Sequence, residues 1–335
     1  MRLARCVLPA VLVLGLTRAT AAPPGAEPAI EAGWEMPPRC DPFAKPVIND
    51  LREELRRTGY RLIIAIHPKD PDESKGESLA RDLFVINADG TGLRRLTDTP
   101  GKDERVPRVS PDGGMFSYNY GDCLMDAKTF KPSGTPWGGY AWAPDSRHTV
   151  HCDKKKLVYT DMLTGESGKP MRIGRKVDIV DMSFDGKWFV FEIRDYLGCE
   201  YTIDFMPAAG GAIRKMPNHP AGGGECHPAF SPDGKWMCWN SGESLGIRRF
   251  DPSLPGGTDG KITTLPKEVL GQDPCGRWSH CGRYIAYVRI SHDGSWEAHS
   301  PIHIVRVADG ASIRISPEGW LGHHWDYDWL PPAGR

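Results

Sequence analysis

The chain has almost no net charge. Its 42 Lys and Arg against 43 Asp and Glu leave a formal −1 over 335 residues. No bulk field therefore draws it to nucleic acid or to an anionic membrane. Helical periodicity is scarce. One stretch, Val47–Arg57 (VINDLREELRR), reads as an amphipathic helix, with Asn49 or Asp50 able to cap its start and Thr58-Gly59 able to end it. Beyond Leu16 no apolar run is long enough to span a bilayer. Gly222-Gly223-Gly224 is followed by neither Lys-Ser/Thr nor a helix pattern, which argues against a phosphate-binding loop. The one Gly-x-Ser-x-Gly match, Gly242-Glu243-Ser244-Leu245-Gly246, is not followed by a helix pattern, so a nucleophile elbow is not expected. Basic runs such as Lys154-Lys155-Lys156 are short and read as solvated turns.

What the N-terminus does contain is an export signal. Arg2 and Arg5 form a basic start, Val7 to Leu16 an apolar run too short for a span, and Ala19-Thr20-Ala21 a small-x-small cleavage site. Residues 1–21 are expected to be a signal peptide, and no membrane span is expected after its removal. The protein is expected to be periplasmic or secreted. Removing Cys6 leaves eight of nine cysteines: Cys40, Cys123, Cys152, Cys199, Cys226, Cys238, Cys275 and Cys281. An even number in an exported chain permits disulfides, but the sequence alone does not pair them.

Turns are plentiful: Gly 38 and Pro 30 interrupt short apolar runs rich in the 11 Trp. Ser231-Pro232-Asp233-Gly234 is typical. Pro presets φ, Asp and Gly accept the turn conformations, and the flanking Pro228-Ala229-Phe230 and Trp236-Met237-Cys238-Trp239 suit a pleated surface. The same hairpin recurs at Ser110-Pro111-Asp112-Gly113, Ala143-Pro144-Asp145-Ser146, Ser183-Phe184-Asp185-Gly186 and Ser279-His280-Cys281-Gly282. The first residues of these turns are 33, 40, 48 and 48 apart. That period, with four short strands per unit, marks β-propeller blades. A degenerate turn at Thr58-Gly59 precedes the first unit, which begins at its second strand, and His324 to Leu330 looks like a first strand with no unit after it. Ring closure reconciles the two ends and leaves no long unpaired edge. The expected fold is all-β: a six-bladed propeller over residues 59–332, preceded by a linker or arm with a short helix at 22–58. Blade 1 combines 61–97 with 324–330, and the rest follow at 105–136, 138–174, 177–217, 226–265 and 276–316.

The segment LFVINADGTGLRRLT (Leu83 to Thr97), followed by PRVSPDG (Pro107 to Gly113), and PAFSPDGKW (Pro228 to Trp236) resemble the repeat of TolB-type propellers, also called WD40-like PD40 repeats. The resemblance covers most of residues 60–330 and implies a six-bladed propeller in the periplasm. The α/β domain that precedes the TolB propeller has no counterpart in the roughly 40 residues ahead of the ring here. Similar repeats occur in oligogalacturonate lyases and in prolyl-oligopeptidase-type peptidases, and a repeat defines a fold rather than a function. A complete peptidase of the latter kind is not expected, because the chain leaves no room for a hydrolase domain.

In such a blade the first strand lines the central channel. The Ser-Pro-Asp-Gly turns lie at one end, and the loops leading into the first strands lie at the other. Asp112, Asp145, Asp185 and Asp233 are expected to hold their own turns. The opposite face should carry His67, Asp103, Glu104, Arg105, Trp137, Asp178, Glu225, Cys226, His227, Asp273, Cys275, His292, His323, His324 and Asp326. Of these, Glu104, Arg105, Trp137, Glu225, His227, Asp273, His323, His324 and Asp326 are the candidates for contact with a ligand or partner. His67, His227, His323 and His324 are the candidate ligands of a divalent metal. The resemblance to oligogalacturonate lyases, with histidines from several blades above the channel, is one of kind only. Cys123–Cys152 and Cys199–Cys226 are the expected disulfides, and Cys238 a buried thiol. Trp142, Trp188, Trp236, Trp278 and Trp329 are expected in the core, with Trp137, Trp296 and Trp320 in loops where they could stack on a ligand.

The resulting expectation is a monomeric, TolB-like scaffold that binds a protein or carbohydrate at the channel mouth and requires no cofactor. The alternative is a metal-assisted, carbohydrate-active enzyme at the same face, an oligogalacturonate-lyase-like polysaccharide lyase or a hydrolase.

Overall fold

Each repeated turn forms for a local reason. At Ser231 the hydroxyl donates to Asp233 Oδ1 at 2.6 Å and accepts from Trp236 N at 3.0 Å. Asp233 Oδ1 also accepts from Lys235 N at 3.0 Å. Gly234, at φ 66°, closes the turn onto Ser231 O at 2.9 Å. Ser110 with Asp112, and Ser183 with Asp185, repeat the 2.6 Å hydroxyl–carboxylate bond. Gly113 is additionally forced by space, since a Cβ there would lie 2.2 Å from the Pro331 ring. In the turn at Ser279, Cys281 stands where the turns at Ser110, Ala143, Ser183 and Ser231 have Asp, 3.5 Å from Ser279 Oγ.

The computed structural model describes residues 41–68, 80–99, 101–133, 139, 141–153, 155–175, 177, 179–194, 201–217, 225–241, 244–265, 275–288, 301–322 and 326–332. Six antiparallel sheets are built around the turns. The inner strands, in blade order, are Tyr327–Leu330, Arg108–Val109, Ala141–Trp142, Ile179–Met182, Glu225–Phe230 and Arg277–Trp278. The ring closes as expected: Arg61, Leu62, Ile63 and Ile64 pair with Leu330, Trp329, Asp328 and Tyr327. The expected helix starts later than its polar pattern suggests. It runs Leu51–Thr58, because Asp50 Oδ1 takes the N–H groups of Arg52 at 2.9 Å and Glu53 at 3.3 Å, and Gly59 at φ 68° ends it.

Strand alternation sends side chains to both neighbouring blades. Apolar clusters fill all six gaps between blades among the described residues. Ile63, Ala65 and Leu83 meet Phe116 and Met125 between blades 1 and 2, and Val190 and Phe205 meet Trp239 and Phe250 between blades 4 and 5. The helix inserts Leu51 and Leu55 into the gap between blades 6 and 1. Its buried Glu54 accepts from Tyr284 Oη at 2.6 Å and from Arg283 at 3.0 Å, and pairs with Arg306. Arg306 also donates to the carbonyls of Ile48 at 2.7 Å and Asn49 at 3.0 Å, which ties the chain ahead of the helix to blade 6.

The same alternation overturns one expected disulfide. Cys123 packs in the gap between blades 1 and 2, whereas Cys152 packs in the gap between blades 3 and 4. The two sulfurs face away from one another, and no disulfide joins the described cysteines. For the other expected pair, Cys226 Sγ accepts from Asn240 Nδ2 at 3.2 Å, and Cys199 lies outside the described residues. Cys238 is fully buried, as expected.

Candidate functional site

The turn end of the ring is occupied with itself. Asp112, Asp185 and Asp233 are consumed by their own turns, and Asp145 accepts from the backbone of Arg147 and His148 at 3.0 Å each and from His148 Nδ1 at 2.6 Å. Asp145 holds the His148 imidazole above its ordinary pKa.

A small cavity of about 90 Å³ lies on the ring axis toward the turn end, and every blade contributes to it. Arg108, Asp181, Arg277, His280 and Asp328 line it, and none was anticipated as a site residue. Much of this polarity joins one blade to the next. Asp328 Oδ2 accepts from Val109 N at 2.8 Å, and Asp181 Oδ2 accepts from Phe230 N at 2.9 Å. Trp142 Nε1 donates to Arg108 O, and Trp329 Nε1 to Arg277 O, both at 2.8 Å. Burial pushes the Asp181 carboxyl up and the His280 imidazole down.

At the opposite end, two groupings are built from the loops and strand ends. The first spans blades 1 and 2. Arg81 Nη1 donates to Asp326 Oδ2 at 2.6 Å, Arg81 Nε donates to Asp103 Oδ1 at 2.7 Å, and Val106 N donates to Asp326 Oδ1 at 3.2 Å. Burial pushes Asp103 up, but the Arg81 guanidinium more than reverses it, so the carboxyl lies below its ordinary range. Asp326 is therefore a buried staple at the ring closure. His67 sits beside this network. It is 2% exposed, its Nδ1 donates to Pro68 O at 2.6 Å, and burial pushes its imidazole pKa down. Glu104 is buried and accepts from Thr99 Oγ1 at 3.2 Å. Arg105 reaches the surface and lies over the Tyr120 ring at 5.2 Å.

The second grouping spans blades 4, 5 and 6. The inner strand of blade 5 pairs Cys226 with Asn240 and then Ala229 with Cys238, so His227 and Pro228 fall in a β-bulge. Proline suits that position because it has no N–H to leave unpaired. His227 takes φ 57°, a left-handed conformation unusual for a side-chain-bearing residue. Its N–H donates to Glu192 Oε2 at 2.8 Å, and its Nε2 lies 3.7 Å from the same oxygen. On the other edge of the ring, Nδ1 lies 2.9 Å from Cys275 Sγ. Cys226 completes the group: ligand-capable atoms of Glu192, Cys226 and His227 all lie within 4.8 Å of one another.

Among the expected site residues, the structure thus places Arg105 at the surface, Glu104, Asp326 and His67 in the blade 1–2 interface, and His227 in the blade 4–6 grouping. Glu225 is 1% exposed and lies in the field of Arg248. Trp137, Asp273, His323 and His324 lie outside the described residues. Trp320, expected in a loop, belongs to the short strand Trp320–Leu321 and packs edge-on against Phe84 at 5.4 Å. Glu192 and Arg81 were missed. The signal for Glu192 was present, an acidic residue within the apolar strand Trp188–Arg194 (WFVFEIR).

The fold and its closure define a six-bladed β-propeller. Comparison narrows the likeness. TolB from Acinetobacter baumannii matches with a TM-score of 0.61 at 16% identity, over 81% of this chain and 66% of that one. A chain of the nidogen/laminin complex matches with a TM-score of 0.57 at 10% identity, over 81% of this chain and 98% of that one. The fold is that of a TolB-like propeller. No protein-family profile matches the chain. Among curated proteins, dipeptidyl-peptidase 5 of Porphyromonas gingivalis is 21% identical over 281 residues, 76% of this chain and 39% of that protein. The chain spans about two fifths of the length of the curated relatives it matches.

Proposed function

We propose that the chain is an exported binding scaffold that takes a protein partner on the loop face around the channel mouth. Residues 59–332 form the ring and 22–58 the arm, and the signal at 1–21 directs the chain to the periplasm or outside the cell. The observation that carries this reading is the contrast between the two ends. At the turn end, blade after blade spends its Asp on the same internal bonds. At the mouth, blades present unlike groups: Arg105 lies on Tyr120, and His227 gathers Glu192 and Cys275. Non-repeated chemistry on a repeated frame is where a partner can be recognised. No helix among the described residues is long and apolar enough to cross a membrane.

A photo-crosslinking residue placed at Arg105 or Tyr120 tests the reading in the cells of origin. Defined adducts from these positions, with none from Lys187 or Lys235 on the turn end, are expected. Adducts confined to Lys187 and Lys235 would place the partner on the wrong end and overturn it. Metal-assisted carbohydrate cleavage at the same mouth has the convergence of Glu192 and Cys226 on His227 in its favour. The peptidase activity in the name of the Porphyromonas relative is not carried to this chain: the serine of its one Gly-x-Ser-x-Gly match, Ser244, opens the strand Ser244–Arg249 of a β-hairpin rather than a helix.

A further inference from the structure

We infer that Glu192, Cys226 and His227 form a binding site for a zinc-class divalent cation at the channel mouth, with Cys275 orienting the imidazole. The donor set is one carboxylate oxygen, one sulfur and one imidazole nitrogen. A thiolate beside an imidazole selects zinc over the hard cations magnesium and calcium, which take oxygen ligands. With metal–nitrogen and metal–oxygen bonds of about 2.0–2.2 Å and metal–sulfur bonds of about 2.3 Å, ligand atoms in a tetrahedral shell stand roughly 3.3–3.8 Å apart. His227 Nε2 and Glu192 Oε2 are already 3.7 Å apart. One ligand-capable atom from each of the three residues lies within 4.8 Å of the others, so closing the shell asks for modest side-chain movement.

The surroundings fit the same assignment. A metal on Nε2 leaves the proton on Nδ1, and the Cys275 sulfur at 2.9 Å is placed to receive it. That is the outer-shell arrangement that fixes tautomer and ring plane in metal-ligating histidines. Asn240 Nδ2 donates to Cys226 Sγ at 3.2 Å, which stabilises the thiolate that a metal requires. The bulge and the left-handed backbone at His227 bring adjacent residues, Cys226 and His227, toward one point, which a regular strand would send to opposite faces. Charge balances as well: one carboxylate and one thiolate neutralise a dication, and the Cys226 proton is released on binding. Three protein ligands leave a fourth position for water or for a donor atom from a partner.

The test uses the mature protein purified without chelator, with metal content measured directly and cobalt(II) added as a spectroscopic probe. About one equivalent of zinc is expected, with a thiolate-to-cobalt charge-transfer band and four-coordinate d–d absorption after substitution. Cys226→Ser and His227→Ala should each hold less than about a tenth of an equivalent. Glu192→Gln keeps an acceptor for His227 N, so it should fold normally and bind at least ~10-fold more weakly, and Cys275→Ala should weaken binding by ~10-fold through the lost orienting contact. Less than about 0.2 equivalents in the wild type together with no cobalt–thiolate band overturns the inference. So does metal content unchanged in Cys226→Ser, or a Cys226–Cys199 disulfide found by mass spectrometry. The crosslinking pattern from Arg105 and Tyr120 is independent of every one of these outcomes.

Discussion

Replacing Asp326 with Ala should destabilise the ring without being a loss of site chemistry. The carboxylate is 1% exposed and holds two blades to the closing strand. One oxygen takes Arg81 Nη1 at 2.6 Å, the other takes Val106 N at 3.2 Å, and the Asp326 carbonyl accepts from Ala65 N at 2.7 Å. Removing one partner of a buried ion pair costs about 3–5 kcal/mol. The lower end applies here, because Arg81 keeps Asp103 on its other edge. About 3 kcal/mol corresponds to a fall of roughly 5 °C in Tm for a ring of this size. Thermal and denaturant unfolding of Asp326→Ala, Arg81→Met and the double variant would measure it. The pair should be coupled by at least ~1 kcal/mol, since residues in one network are non-additive. A Tm within a degree or so of wild type, or additivity across the pair, would refute the staple and return Asp326 to the candidate ligand-binding residues. The acid limb supplies a sign. Asp103 is held below the ordinary carboxylate range, so its contribution is full above the unfolded value near ~4 and is lost as pH falls through the folded value. Arg81→Met should flatten that limb.

Three other outcomes follow from the same geometry. Arg306→Ala should cost about 3–5 kcal/mol and raise hydrogen exchange across Ile48–Thr58, because it removes the bonds to Ile48, Asn49 and Glu54 that dock the helix. The His148 imidazole should titrate above ~6.5 by NMR and drop in Asp145→Asn, and the stability it contributes should be full below the unfolded value and lost as pH rises through the folded one. Cys238, fully buried and with its thiol pushed up by burial, should resist alkylation until global unfolding, whereas half-buried Cys123 and Cys152 should react as separate thiols with no shift in non-reducing mobility on Cys123→Ser.

The ring was legible because its instructions are local. A Ser, an Asp and a Gly within four residues make the turn, and its recurrence counts the blades. Closure was legible from an orphan strand at each end of the repeat. What escaped is non-local. Arg81 and Asp326 are 245 positions apart and meet only because the ring closes. The Cys123–Cys152 pairing failed for a related reason: placing a residue at one end of a blade does not say which neighbouring blade its side chain faces. Glu192 belongs to the same class. Phe189, Phe191 and Ile193 turn toward blade 3, which sends Val190 and Glu192 toward blade 5. An acidic side chain in that position needs a partner across the gap, and the residue that supplies one is His227.

This gives the bulge at His227 a physical reading. A left-handed, non-glycine residue costs roughly 1–2 kcal/mol, and a break in the ladder forfeits backbone pairing. The bond from His227 N to Glu192 Oε2 offsets part of that, since a buried charge-assisted hydrogen bond is worth about 1.5–3 kcal/mol. A regular strand with an apolar residue in place of Glu192 would close the same gap between blades with no strain at all, as the aromatic cluster of Phe205, Phe230 and Phe250 does lower in the same interface. Packing therefore does not require the bulge, the buried carboxylate or the two cysteines beside the imidazole. Their shared effect is to bring oxygen, nitrogen and sulfur to one point at the rim of the channel, and that is a requirement of binding rather than of folding.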